Sequence, residues 1–526
     1  MTSTPHDPYG SDEPDVVDLG APEGTVLPER TTPRGGRRRA GLLVGGVLAL
    51  AVAGGAGAYA VSALGGGGDQ PEVAVPSSAF ALVRVDLDPA AGQKLDALRF
   101  ARRFPDVGSK LGSGDDPRQA IFEALTKDST LSADYARDVE PWLGQRAALA
   151  VVPGVLPEDD PVPLVVLAVT DAGAARTGLA KVVGAGRCVV SGDFAVCAED
   201  GGLAQRAVTA AGRSSLADDA GFTDAVAANG EDGVALAWAD LAKAKSALPA
   251  LASALRSSGG RAGALGSLAG GGDPKGRFVA AVRFDGPNLE VAGRVDGASL
   301  PAASGASGVG DLPAGTLVAL GTGGADGIVG SAWTQLRTAL VAQGGAEVLD
   351  DEVAAVQKQY GVTLPGDLIA ALGSRATVAF GGVTDGEPDL AVRTSGRPQS
   401  VATLVAAFTR LSGSYTPSTV AAPTGLTLST ARAGSDTVVA SSKAYADKVA
   451  AGSGLGATTV FTDAVPGFKD AQQVVFVDVA GLVALAEGSL GADAAAVRNL
   501  EPISAVGLTG SRDGSAATFD LRLTTR

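Results

Sequence analysis

The pentapeptide FTDAV occurs twice, at 222–226 and 461–465, and its surroundings repeat with it. Each copy is followed by a turn and an apolar strand ending in aspartate: GVALAWAD to Asp240, QQVVFVD to Asp478. Upstream, Leu143-Gly144-Gln145-Arg146-Ala147 matches Leu372-Gly373-Ser374-Arg375-Ala376, each leading into a strand. VPSSAFALVRVDL parallels LPAGTLVALGTGG, and Leu98-Arg99 parallels Leu336-Arg337. The matches keep one order at offsets of 229 to 243 residues. That period is far longer than a solenoid repeat, so a whole domain is duplicated. The expected organisation is a first unit over 74–300, a Ser/Ala/Gly-rich linker over 301–310 and a second unit over 311–526.

Within each unit the apolar pattern predicts an opening strand (80–87; 316–320) and an amphipathic helix (93–104; 328–341). More helix follows, then strands near 146–152 and 164–170, a helix near 173–184, a hairpin and another helix. FTDAV, a strand, a helix and a closing hairpin (278–295; 504–523) complete the unit, and the Gly-rich 257–276 is an internal loop. Strands joined by hairpins and mixed with helices predict an α+β fold with largely antiparallel sheets. Trp142, Trp238 and Trp333 all fall in these elements, where core packing is the expected role.

The two cysteines sit in RCVVSGDFAVCAED. Gly192-Asp193 suits a two-residue hairpin turn, which pairs Ser191 with Phe194, Val190 with Ala195, Val189 with Val196 and Cys188 with Cys197. Counting outward, the cysteines form a non-hydrogen-bonded pair, where Cα atoms approach to about 4.5 Å, within disulfide range. A Cys188–Cys197 bond needs an oxidising compartment. The SGD turn has its expected counterpart at Ser435-Asp436, without cysteines.

Residues 40–64 contain no charge over 25 positions. As a helix they would run about 37 Å, enough to cross a hydrocarbon core of roughly 30 Å. Arg34, Arg37, Arg38 and Arg39 precede the run, and the first basic residue after it is Arg84. That asymmetry puts the N-terminus in the cytoplasm and the remainder outside, in agreement with the disulfide. The rival reading, a cleaved signal ending near Val61-Ser62-Ala63, conflicts with a run longer than the 7–15 residues of a signal core. Gly45, Ala49, Ala53 and Gly57 make a small-residue stripe on which two spans could dimerise. Residues 1–39, rich in Pro, Gly and acids, read as a disordered cytoplasmic tail, and 65–73 as a Gly-rich tether.

Composition excludes more than it assigns. His6, in the tail, is the only histidine, so the outer region holds no Ser-His-Asp or Cys-His site and no zinc site with His ligands. No catalytic, cofactor or metal residue is therefore assigned. Residues 40–526 carry 37 basic and 50 acidic side chains, a balance that argues against nucleic acid as a partner.

The start of the outer region, VPSSAFALVRVDLDPAAGQKLDALRFARRFPDV, resembles an uncharacterised family, domain of unknown function 3352. The resemblance lies in the Pro76 entry, the strand ending Val85-Asp86-Leu87-Asp88-Pro89 and the Gln93 helix finishing in Arg103-Phe104-Pro105. It implies a short tail, one N-terminal span and an extended outer region, mostly in actinobacteria, and no particular activity.

Several groups invite a functional reading. Glu158-Asp159-Asp160, Asp350-Asp351-Glu352 and Asp385/Glu387/Asp389 are acidic clusters expected to cap helices or line loops. GTGGADG at 321–327 lacks the phosphate-loop lysine. Asp86 and Asp88 suit a strand-to-helix turn, and Arg146 and Arg375 are expected to pair with a buried acid or cap a helix rather than bind substrate. The expectation is a non-enzymatic, membrane-anchored envelope protein binding another envelope protein or a cell-wall polymer. The alternatives are a carboxylate-dependent wall hydrolase and a sensor phosphorylated at Thr4, Thr25, Thr31 or Thr32.

Overall fold

The computed structural model describes residues 68–104, 133–154, 160–246 (except 231), 275–297, 305–414 (except 343 and 344), 428–489 (except 453) and 498–526 (except 499), with 116, 118, 119 and 122 besides. The charge-free run 40–64 and the tail lie outside this set, as do Glu158 and Asp159. Among the described residues no helix is long and apolar enough to cross a membrane.

Among the described residues sixteen strands form one antiparallel sheet with helices on both sides, an α+β fold. The first eight are β1 (Ala81–Asp86), β2 (Leu143–Val152), β3 (Val162–Val169), β4 (Cys188–Ser191), β5 (Phe194–Cys197), β6 (Ala235–Asp240), β7 (Arg277–Asp285) and β8 (Asn288–Asp296). The second eight are β9 (Val318–Gly323), β10 (Arg375–Thr384), β11 (Glu387–Thr394), β12 (Ser429–Ala433), β13 (Asp436–Ala440), β14 (Gln473–Asp478), β15 (Ile503–Asp513) and β16 (Ala516–Thr525). From its outer edge the first half runs β4-β5-β3-β2-β1-β6-β7-β8, and the second runs β12-β13-β11-β10-β9-β14-β15-β16. Each label is shifted by eight.

Registers agree as well as order. Leu82 lies between Ala150 and Trp238, and Ala319 lies between Ala379 and Phe476. The halves join through β8 and β16, whose register runs from Asp296↔Ala516 to Leu289↔Leu523. The closing hairpins turn at Gly286 and Gly514, both at φ 57°, a conformation open to glycine without strain. Superposing these turns places a local two-fold axis at the Ala292–Asp520 pair. The two halves therefore share one continuous sheet.

Alternation sets each face. In β1, Leu82, Arg84 and Asp86 are buried while their neighbours are half-buried. On that face the helices Gly201–Ala211 and Ala220–Ala228 cover a core with Leu82, Leu164, Phe222 and Trp238. The helices Lys443–Ala451 and Thr459–Ala464 cover its counterpart around Ala319, Phe461 and Phe476. Asp200, Asp219 and Ser442 cap three of these helices by accepting from first-turn N–H groups. On the other face, Ala172–Val182 packs with Tyr135, Trp142 and Cys197, and Ala91–Ala101 places Phe100 on Phe284.

Several expectations need correction. The first helix ends at Ala101 rather than 104, because the approach of Pro105 disfavours helical backbone before it. The second opening strand begins at Val318, since Thr316 is still in a turn and donates to the Pro313 carbonyl at 2.8 Å. The turn between β12 and β13 is Gly434-Ser435, so Asp436 is a strand residue and not part of the turn. Trp142 and Trp238 are core residues, but Trp333 is only half-buried on the helix Ala325–Ala342. Asp350, Asp351 and Glu352 stand inside the helix Ala346–Tyr360, with Asp350 paired to Arg337 at 2.9 Å, rather than at its start. On the second half Leu320, Val378 and Leu390 remain exposed on the sheet.

The β4–β5 hairpin has the expected register in all four pairs, and Cys188 and Cys197 are disulfide-bonded with Cα atoms 4.0 Å apart. Since β4 is an edge strand, the bond also holds the sheet's margin. Replacing both cysteines by serine is expected to lower stability by about 2.5 kcal/mol, from the short loop closed. Urea midpoints of oxidised wild type and the double variant would check this; coincident midpoints would contradict it.

Candidate functional site

The acids and arginines singled out by sequence become structural. Asp86 accepts from Gln70 Nε2 at 2.8 Å, Arg146 Nε at 3.0 Å and the Asp88 backbone N–H at 2.8 Å, fixing the turn into the first helix. Arg375 Nη2 and Arg393 Nε both donate to Asp436 Oδ2 at 2.8 Å. Asp385 occupies the β10–β11 turn at φ 52°, and Asp389 accepts from Thr384 at 2.8 Å. Among the described residues no group of His, Cys, Asp and Glu is arranged to hold a metal ion.

A different set forms a cleft. Glu72 lies on the short 3-10 turn Pro71–Ala74, Arg84 points inward from β1, and Asp232 lies in the turn between the helix Ala220–Ala228 and β6. Arg84 Nη1 donates to Glu72 Oε1, and Nη2 to Asp232 Oδ1 at 2.9 Å. The side chains of Arg84 and Glu72 are 5% and 9% exposed, that of Asp232 57%. Glu72 Oε2 is buried with no hydrogen-bond partner among the described residues. Burial raises the Glu72 pKa above its ordinary value, although Arg84 pulls the other way. Beside these groups opens a cleft of about 340 Å³, walled by Ala217, Phe222, Thr223, Val226, Ala227 and Gly230. It presents two carboxylates, one guanidinium and an apolar helix face.

Among the described residues, the equivalent positions of the second half hold no such ion pair. In the shared register Val309 stands for Glu72 and Gly321 for Arg84. Val309 is fully buried, and a Cβ on Gly321 would come 2.3 Å from its Cγ2. A buried ion pair in one copy is thus tight apolar packing in the other. The cleft is not legible in the sequence because its members are far apart in the chain. One signal was available: within otherwise matching strands, inward-facing Arg84 stands opposite Gly321.

A second polar cluster lies on the seam. Arg283, Glu290 and Arg522 stand side by side across β7, β8 and β16, and Arg522 is ion-paired with Asp285. Burial and a hydrogen bond to Glu290 raise Asp520 to about 7, while that bond and Arg283 hold Glu290 below its ordinary value despite burial. The folded chain therefore binds a proton on Asp520 that the unfolded chain releases near pH 4. The associated stability is fully present below about pH 4 and is lost as pH rises through 7. Asp520→Asn is uncharged throughout, so its urea midpoint should fall less than that of wild type between pH 5 and 8. Parallel declines would refute this account of the seam.

Residues 42–187 match the family described as Protein of unknown function (DUF3352). The match includes residues 42–64 of the charge-free run, Glu72 and Arg84, and ends at the residue before β4. No curated protein and no solved structure matches the chain.

Proposed function

We propose that this chain is a non-enzymatic binding protein of the cell envelope, anchored through 40–64 with its sheet outside the membrane, and that it captures an envelope component in the Glu72–Arg84–Asp232 cleft. The observation that carries the binding role is the cleft's chemistry. Arg84 fixes one oxygen of each acid in place, while Glu72 Oε2 is left buried without a partner among the described residues, an acceptor or donor for a ligand. Buried polar groups beside an apolar wall suit recognition, where the polar groups orient a ligand and the wall supplies affinity. The address is supported by the arginines before the run and by the Cys188–Cys197 bond, which persists in an oxidising compartment.

A photoreactive residue at Thr223, exposed on the cleft wall, tests this in intact cells. A defined adduct is expected from position 223, not from exposed Thr177 on the helix Ala172–Val182, and it should vanish when Ala227→Trp fills the cleft. No adduct specific to the cleft would overturn the reading. Lost wall turnover in folded Glu72→Gln would favour a carboxylate hydrolase instead.

A further inference from the structure

In the second half, the sheet face opposite the Phe461 core is apolar from strand to strand. Register lines up Val378, Leu320, Val475, Leu508 and Leu521 as one row over β10, β9, β14, β15 and β16. The next row, from Leu390 through Val318 to Leu523, is apolar as well, and neither row contains a charge or a hydroxyl. An antiparallel sheet with one face in water alternates apolar and polar residues. β14 reads Val474-Val475-Phe476-Val477, the run of a strand covered on both sides.

The two copies treat this face differently. In the first half it is sealed: Leu149, which holds the place of Val378, is 6% exposed, and Val165 and Leu167 pack against the cluster of Trp142 and Leu179. In the second half Leu320, Val378 and Leu390 are 46%, 42% and 42% exposed, and Leu521 extends the patch at 37%. The helices after β9 and β11, Ala325–Ala342 and Pro398–Ser414, leave Leu336, Val341, Phe408 and Leu411 uncovered too. Apolar exposure on this scale marks a binding surface.

The rows and the chain before them select the occupant. A polypeptide backbone laid along the rows would find no hydrogen-bond partner there, whereas hydrocarbon needs none. Five strands at about 4.8 Å each span roughly 19 Å, comparable to the depth of one leaflet, about 15 Å. The charge-free run ends at Leu64, and Gly68 already lies beside Arg146. Four residue steps reach at most about 14 Å, so an anchored chain holds its sheet close to the bilayer.

We propose that this face receives an acyl chain of a lipid drawn from the bilayer in which the protein is anchored. The site is separate from the Glu72–Arg84–Asp232 cleft and rests on the anchored address proposed above. Lacking polar groups, it reads the tail of the lipid and not the headgroup.

Intact cells fed a diazirine fatty acid and irradiated test this on the full chain. In wild type, adducts are expected on tryptic peptide 376–393, which holds Val378 and Leu390, and on 40–84, which holds the charge-free run. They are not expected on 147–176, the first-half peptide with Leu149. Leu320→Asp with Val378→Asp, both at exposed positions, should lower labelling of 376–393 by more than roughly tenfold and leave that of 40–84 unchanged. Label on 40–84 without any on 376–393 would overturn the inference and leave the anchor standing; label on neither would overturn both. Equal label on 147–176, or label on 376–393 indifferent to the substitutions, would also overturn it. So would Leu320→Cys chains that disulfide-link to one another in cells, which would assign the face to a second copy.

Discussion

Phe461→Ala is expected to destabilise the chain by about 3–5 kcal/mol, the range for truncating a fully buried phenylalanine. Phe461 has no exposed surface and touches rings on two sides, Phe468 and Phe476. Its loss removes a hub that neighbouring rings cannot refill, because Phe468 is already pinned against Gly310 and Gly456. Phe222→Ala is the internal control. Phe222 has the same place in the repeat and is 3% exposed, but it borders the cleft and Trp238 is its only ring neighbour among the described residues. Truncation there should cost less, since Phe222 loses one ring contact where Phe461 loses two. Urea midpoints of both variants would check the pair, and equal shifts would argue that the second ring contact of Phe461 adds nothing.

Asp436→Ala should be nearly as damaging, on the order of 3–5 kcal/mol, for an electrostatic reason. The Asp436 side chain is 2% exposed, and one oxygen accepts from both Arg375 and Arg393. Removing it leaves two guanidinium groups facing each other without a counter-charge. Burial works to raise the Asp436 pKa, but the bonds from Arg393 and Arg375 outweigh it and hold the group below its ordinary value. Its contribution is therefore present above the ordinary carboxylate range and is lost as pH falls through the lowered pKa. Asp436→Ala should accordingly be most damaging at neutral pH, with the gap to wild type closing in acid. A gap independent of pH would show that the residue acts by shape alone.

Asp436 and Asp520 titrate in opposite senses because of their neighbours. Asp436 meets two arginines and stays ionised; Asp520 meets a carboxylate on the adjacent strand and holds a proton. Stability should therefore peak between the acid loss at one and the alkaline loss at the other, a shape that Asp520→Asn would extend toward higher pH.

How much of this was legible in the sequence varies with distance along the chain. The β4–β5 hairpin was readable residue by residue, because a two-residue turn and period-two alternation leave little freedom in register. The α+β class and the eight-strand pattern of each copy were readable from hairpins and repeated motifs. Of the two structural roles expected for Arg146 and Arg375, pairing with a buried acid or capping a helix, the first holds, with partners that the repeat does not indicate: Asp86 and Asp436 come from non-equivalent places in the two copies. The 325–342 helix misled, because its apolar spacing does not bury Trp333.

By itself the sequence determined what local chemistry decides: a duplicated α+β region, a hairpin closed by Cys188–Cys197, and no histidine after His6. Only the tertiary structure decided that the two copies merge into one sheet, since β8 and β16 each present an open edge and strand pairing between distant segments leaves no local mark. It alone decided that Glu72, Arg84 and Asp232 meet, because the strand's pleat turns Arg84 inward toward groups 12 and 148 positions away. The repeat that revealed the architecture also exposes the site. Where the second copy packs Val309 against Gly321, the first buries the Glu72–Arg84 pair.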